Sequence, residues 1–212
     1  MHDAPSLALG AFEVNLLELT GAYATLASGG RRAPRVVATA ARRSNGDSFP
    51  IRSPSPIRVA SAGEAYLVTV ALRGAVDRGS AAGIRKRGFR GAVAAKTGSS
   101  DGYRDAWALA YTPDLAVGVW LGFDDGRSLG GPAEVFAIPL LADILVAALG
   151  RRGKGSFEAP PDVVRIRTGE PRGERCRGVF EWVLVDAKSS GGCDPARQSA
   201  PSRAEQSPSI TR

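Results

Sequence analysis

The chain has 212 residues and 43% hydrophobic content, enough for one domain with a core and a tail. Its net charge of +7 comes mostly from arginine, and the cations are scattered over candidate loops (Arg31-Arg32, Arg42-Arg43, Arg85-Lys86-Arg87, Arg151-Arg152). No aromatic-interleaved strand or recognition helix accompanies them, so nucleic acid is not the expected partner and a solvated basic surface is.

In chain order, Ser6 to Gly10 is a short apolar lead-in, and Asn15-Leu16-Leu17-Glu18 has the spacing of a capping box. Leu16, Leu19, Tyr23 and Leu26 follow at helical intervals until Gly29-Gly30, a stripe that reads as core packing. Arg35 to Ala41 has the composition of a strand, and Ser44-Asn45-Gly46-Asp47 turns it into a hairpin with Ser48 to Arg52. Ser53-Pro54-Ser55-Pro56 is a surface connection. Ser61-Ala62-Gly63-Glu64 repeats the capping-box spacing and opens a second helix, with Ala65, Val68, Leu72 and Val76 on one face and Gly79 as its stop. Gly83 to Gly88 is basic and reads as a loop.

The segment 91–123 organises the rest. A short apolar strand ends in Lys96-Thr97-Gly98-Ser99, a cation, a hydroxyl, a bare backbone and a second hydroxyl. Two alternating stretches follow, Asp105 to Tyr111 and Leu115 to Phe123, joined by Thr112-Pro113-Asp114, in which Pro suits the second position of a type I turn. Asp124-Asp125-Gly126-Arg127 is a tight acidic turn. A third helix is expected from Ala133 to Leu149, with Leu140, Leu141, Ile144, Leu145 and Ala148 as its face and Gly150 closing it.

Composition changes at Arg151. The expected organisation is a folded unit over 1–150, a linker and small segment over 151–194 with short strands at Val163 to Ile166 and Phe180 to Val185, and a disordered tail over 195–212. Cys176 and Cys193 have a separation that fits one local disulfide and favours an oxidising compartment. Without a histidine neighbour they make no zinc site. His2, the only histidine, lies at a terminus and is not read as catalytic. The start, Met1-His2-Asp3-Ala4-Pro5, lacks a basic leader, and no run reaches the ~20 apolar residues of a membrane span.

At Lys96-Thr97-Gly98-Ser99, followed by Asp105-Ala106-Trp107 and Tyr111-Thr112-Pro113, the sequence resembles the transpeptidase domain of penicillin-binding proteins. Other pieces match in the same order: Ser6-Leu7-Ala8-Leu9-Gly10, Leu17-Glu18-Leu19, Ala22-Tyr23-Ala24-Thr25-Leu26-Ala27, Gly118-Val119-Trp120-Leu121-Gly122 and Asp124-Asp125. The tail, with Val163-Val164 and the cysteine pair, is similar to the segment after that domain in bifunctional, class A members. The match covers about residues 5 to 150 well and the tail poorly.

The resemblance implies an α+β fold, an antiparallel sheet flanked by helices, as part of a transpeptidase or serine β-lactamase-like domain. It implies a catalytic role for Lys96 and Ser99 and substrate binding by Lys96, Thr97, Gly98 and Ser99, with no metal and no cofactor. Lys96 would polarise a proton relay and attract the substrate's terminal carboxylate, and the Thr97 and Ser99 hydroxyls would bind that carboxylate. Gly98 would let the substrate backbone lie against the strand, and the Ser99 amide would be one oxyanion donor. Asp105 reads as a turn or strand-end acceptor and Trp107 as core.

The family's other two motifs are not in this sequence. The residues three before Lys86, Lys96, Lys154 and Lys188 are Gly83, Val93, Arg151 and Val185, so there is no Ser-x-x-Lys, and Ser-x-Asn is missing as well. The chain therefore looks like the C-terminal half of the domain, incapable of acylation alone. Its parent's partners would be peptidoglycan stem peptides and β-lactams, at the periplasmic side of the inner membrane, with the membrane reached only through a missing N-terminal part. A half-domain would expose faces meant for packing and fold poorly alone. Two alternatives stand beside this: half of a split transpeptidase completed by another chain, and a non-catalytic basic binding module for anionic polymer.

Overall fold

The computed structural model describes residue 10, residues 12–172 and residues 175–185, with backbone alone given for 168–172 and 175–178. His2, the Ser6 to Leu9 lead-in, the cysteine pair and the tail lie outside the residues or side chains described. The chain divides into two compact units, Met1–Ala159 and Pro160–Arg212.

The first unit is built on a three-stranded antiparallel sheet. Its strands are β5 (Ala94–Ser99), β6 (Asp105–Tyr111) and β7 (Ala116–Gly122), in that spatial order with β6 in the middle. The register pairs Ala94 with Tyr111 and Ser99 with Ala106 on one side, and Asp105 with Gly122 and Tyr111 with Ala116 on the other. Thr112 closes the β6–β7 turn: its Oγ1 accepts from the amides of Asp114 (3.2 Å) and Leu115 (3.0 Å), and its own amide donates to Leu115 O at 2.8 Å. The α+β architecture, an antiparallel sheet flanked by helices, is the one the sequence implies.

Alternation along β6 decides what covers each face. Trp107, Leu109 and Tyr111 point one way and Ala106, Ala108 and Ala110 the other, and of these only Trp107 keeps partial exposure. On the first face lies α1 (Leu16–Ala27), while α2 (Ala62–Arg78) packs along β5, reaching this face through Thr69 and joining the alanine-face core through Val76. The Tyr111 ring meets Tyr23 of α1 edge-on at 6.0 Å between centroids, and its hydroxyl lies 2.7 Å from Thr69 Oγ1 of α2. On the alanine face lies α4 (Ala133–Leu149), whose Ala137, Ile138, Leu141 and Leu145 are fully buried, as are Ile84 and Phe89, in one core with the buried Val117 and Val119 of β7. Small side chains on the sheet let that helix approach closely.

Three helix details depart from the sequence reading. Asn15 caps α1 by accepting from the Glu18 amide at 2.8 Å, but the Glu18 carboxylate pairs with Arg35 at 3.4 Å instead of returning to the cap. The inward face of α2 is Ala65, Tyr66, Thr69 and Val76, while Val68 is 42% exposed, because the sheet offers the Tyr111 hydroxyl and draws the polar Thr69 inward. In α4 the buried face is rotated by about one residue from the expected one. Leu140 and Ala148 are exposed and Ala137 and Ala142 buried, since nearly every position is apolar and periodicity alone does not fix a face. The Ser61–Glu64 capping box of α2 forms in full, with bonds of 3.1 and 2.7 Å.

The basic stretch expected as a loop contains one helical turn, α3 (Gly83–Lys86). Arg85 fastens it by donating to Phe89 O and Gly91 O, and Arg87 pairs with Asp143 of α4 at 3.1 Å. The strand expected over Arg35 to Ala41 shrinks to β2 (Ala40–Arg42), paired with β3 (Ser48–Pro50) across the Asn45-Gly46 turn. Two-residue strands β1 (Arg31–Arg32) and β4 (Ile57–Arg58) pair in a sheet of their own. The second unit holds one long hairpin, β8 (Val163–Arg172) with β9 (Arg175–Leu184), extending well beyond the short strands expected there. Among the described residues no helix is long and apolar enough to cross a membrane.

Candidate functional site

Lys96, Thr97, Gly98 and Ser99 are the last four residues of β5, an edge strand of the sheet. Ser100 N donates to Asp105 O at 3.2 Å, which fixes the hydrogen-bonding phase of the ladder. By antiparallel alternation, Lys96 and Gly98 commit their backbone groups to β6, and the N–H and C=O of Thr97 and Ser99 point out from the open edge. The Lys96 side chain bends along this edge, and its Nζ donates to Thr97 O at 2.7 Å. An inserted lysine is one of the standard covers for exposed strand edges.

The two hydroxyls already have partners. Thr97 is 8% exposed, and its Oγ1 lies 2.7 Å from Ser80 Oγ and 3.1 Å from Glu134 Oε1. Ser99 Oγ accepts the amide of Ala133 at 3.0 Å, one of the free N–H groups of the first turn of α4. Ser80 stands just past the C-cap of α2. Neither Ser80 nor Glu134 stands out in the sequence: each is a single polar residue at a helix end, and Glu134 lies 37 positions from Thr97. Gly98 meets no internal obstacle, because a Cβ built there would make ordinary contact with Trp107 Cβ at 3.5 Å. If a bare backbone is required at this position, the requirement comes from outside the chain.

The turn after β5 brings these elements together. A single 3-10 turn, Asp101–Tyr103, places Gly102 (φ 68°) and Tyr103 (φ 55°) in the left-handed region, unusual for the tyrosine. Ser128 Oγ donates to Gly102 O at 2.7 Å and Leu129 N to Tyr103 O at 2.8 Å. The loop that leads into α4 is thus tied to the end of β5, and Ala133 and Glu134 arrive beside Ser99 and Thr97. Asp105 closes the other side. Its carboxylate accepts from Ser100 Oγ at 2.8 Å and Trp120 Nε1 at 2.9 Å, so it serves as a strand-end acceptor, while Trp107 is half-buried against Trp120. An open cleft of about 450 Å³ lined by Asp114, Ala148, Leu149, Lys154 and Gly155 involves none of these residues and lies by the β6–β7 turn, away from Ser99.

No family model matches the chain. It is 32% identical over 182 residues to penicillin-binding protein 1A of Aquifex aeolicus, a match covering 82% of this chain and 24% of the relative. It is 31% identical over 206 residues to penicillin-binding protein 1A of Neisseria cinerea, covering 91% of this chain and 25% of the relative. The fold superposes on penicillin-binding protein 1A from Haemophilus influenzae with a TM-score of 0.73 over 86% of this chain and 34% of that one, at 20% identity. The chain belongs with the class A penicillin-binding proteins, within their transpeptidase domain. The fold of PonA1, the penicillin-binding protein from Mycobacterium tuberculosis, is also similar, with a TM-score of 0.56 at 23% identity, covering 73% of this chain and 43% of that one.

The chain spans about a quarter of the length of the curated relatives it matches. Within it, the order Lys-Thr-Gly strand, hairpin and closing helix forms one continuous structure. The remaining two motifs of the family fall on no residues of this sequence.

Proposed function

We propose that the chain supplies the carboxylate-recognition wall of a peptidoglycan D,D-transpeptidase site and does not itself form an acyl-enzyme. The observation that carries this reading is the placement of Lys96-Thr97-Gly98-Ser99 on an open sheet edge, with the Thr97 and Ser99 backbone facing outward. A stem peptide ending in D-alanyl-D-alanine is extended and anionic at its terminus. The outward amide and carbonyl groups of β5 can pair with its backbone as an added strand. Lys96 supplies positive potential and has two ammonium hydrogens left after the bond to Thr97 O. Ser99 Oγ receives the Ala133 amide, which leaves its own hydrogen for a ligand oxygen.

Attack on the peptide carbonyl needs a hydroxyl whose proton a neighbouring base removes. In this family Ser-x-x-Lys provides both, and that spacing is not in this sequence. The Ser99 amide, pointing out from the edge, stabilises the oxyanion once a nucleophile supplied by other residues has added to the carbonyl. β-Lactams, which present a carboxylate beside a strained amide, would dock on the same wall. The residues of the first unit carry this role, and the site faces the periplasm in the assembled enzyme. A second reading, completion of the site by a chain carrying Ser-x-x-Lys, follows from the same missing pair.

Titrating the full chain with N-acetyl-D-alanyl-D-alanine and following backbone amide resonances tests the wall. Shifts concentrated on Thr97 and Ser99, and lost in Lys96→Ala, are the expected result. A chain that is folded yet shows no shift at β5 would overturn the reading.

A further inference from the structure

The wall read above as a carboxylate binder already holds a carboxylate of its own. Thr97 has one hydroxyl hydrogen, and an ionised carboxylate can only accept, so that hydrogen goes to Glu134 Oε1 at 3.1 Å. The Ser80–Thr97 pair at 2.7 Å is then polarised in one direction, with Ser80 donating. The relay Ser80 to Thr97 to Glu134 is complete without any ligand. A ligand carboxylate, also an acceptor, needs the same Thr97 hydrogen and brings a second negative charge beside Glu134.

The neighbouring groups are not closed in this way. Ser99 accepts from the Ala133 amide and keeps its hydrogen, and the Lys96 ammonium has donors to spare. The Glu134 carboxylate stands one residue along from Ala133, in the first turn of α4, and its side chain is only half-buried, so it has room to turn toward solvent. Thr97 at 8% exposure lacks that freedom. Of the polar groups on this wall, the Thr97 hydroxyl alone is held by a group that imitates the ligand.

We propose that Glu134 is an affinity-determining residue of this wall, an internal carboxylate that occupies the Thr97 hydroxyl and must turn away before a ligand's terminal carboxylate can use it. This inference rests on the reading of β5 as a carboxylate-binding wall. It places the control of ligand binding in the loop-to-helix junction behind the strand, outside the Lys-Thr-Gly motif itself.

Two probes and three variants test it on the full chain, with folding checked by circular dichroism. The probes are N-acetyl-D-alanyl-D-alanine and the same peptide ending in a carboxamide. Glu134→Ala frees the hydroxyl and removes the charge, and its dissociation constant for the acid falls ~10-fold, the scale of one hydrogen bond to a charged group. Glu134→Gln preserves size and an acceptor but removes the charge, and falls between wild type and Glu134→Ala. The amide probe gains nothing in either variant. Adding Thr97→Val to Glu134→Ala returns the acid's affinity to the wild-type level or below.

Unchanged affinity for the acid in both Glu134→Ala and Glu134→Gln, with wild type binding it, overturns the role of Glu134 and leaves the wall standing. An equal gain for acid and amide overturns it too, since opened space and not carboxylate competition would then be the cause. Folded wild type and variants that bind neither probe overturn the wall and this inference together.

Discussion

Tyr111 stands where α1 and α2 converge on one sheet face. It is fully buried, with the Tyr23 ring at 6.0 Å and the Phe157 ring at 5.6 Å, both nearly perpendicular to it. Thr69 gives its hydrogen to Ala65 O at 2.8 Å, so Tyr111 is the donor in the 2.7 Å pair with Thr69. Burial raises the Tyr111 pKa, and also that of Tyr23, above the ordinary 10.0, because a phenolate would lose its hydration. Raised folded-state values mean that the unfolded chain loses these protons first. The stability they confer is therefore complete below pH 10.0 and declines as the pH rises through the higher folded-state values. Thermal unfolding measured on either side of that value should show the decline, and the variant carrying both Tyr23→Phe and Tyr111→Phe should show a flatter one. An alkaline decline as steep in the double variant as in wild type would assign it to other groups.

At the scale of elements, the contact between α1 and the sheet depends on two glycines with opposite demands. A Cβ on Gly118 of β7 would collide with Thr20 Oγ1 and lie 2.9 Å from Leu16 Cδ1 and 3.0 Å from Leu109 Cδ1, so the helix rests directly on bare backbone. Gly21, in the interior of α1, meets nothing within 4 Å. Gly118→Ala should destabilise by about 1–3 kcal/mol, as overpacking does. Gly21→Ala should stabilise by about 0.5–1 kcal/mol through helix propensity. Denaturant titration of the two variants checks both signs, and loss of stability in Gly21→Ala would mean that α1 packs differently.

The same elements show how far sequence alone reaches. Caps are local, so Asn15 and Ser61 announce their helices. The strands of the central hairpin are legible because alternation and a Pro-containing turn are local too. The choice of face on α4 is not, because Ala133–Leu149 is apolar almost throughout and the alanines of β6 decide which side approaches. Nor could the pairing of Glu18 with Arg35 be foreseen, since it depends on where a distant loop returns.

For the whole molecule, Lys96 to Ser99 are legible as a motif because four chemically distinct residues stand in succession. Ser80 and Glu134 are not, because they join Thr97 only after the turn at Gly102-Tyr103 and the 128–129 loop have brought three elements together. In the proposed reading that assembled wall recognises a carboxylate, and it has no group poised to attack. Ser99 Oγ is turned to the Ala133 amide, and the Lys96 ammonium donates to Thr97 O, so no lysine is hydrogen-bonded to a serine hydroxyl at this wall. An unactivated serine hydroxyl is a weak nucleophile, and the acyl-enzyme needs a base within hydrogen-bond reach. The purified chain incubated with a fluorescent penicillin and run under denaturing conditions should therefore carry no label. Label acquired only on co-expression with a segment bearing Ser-x-x-Lys, and lost when that serine becomes alanine, would show the wall completed from outside. A saturable adduct on the chain alone, abolished by Ser99→Ala, would make Ser99 a nucleophile and overturn the division between recognition and attack.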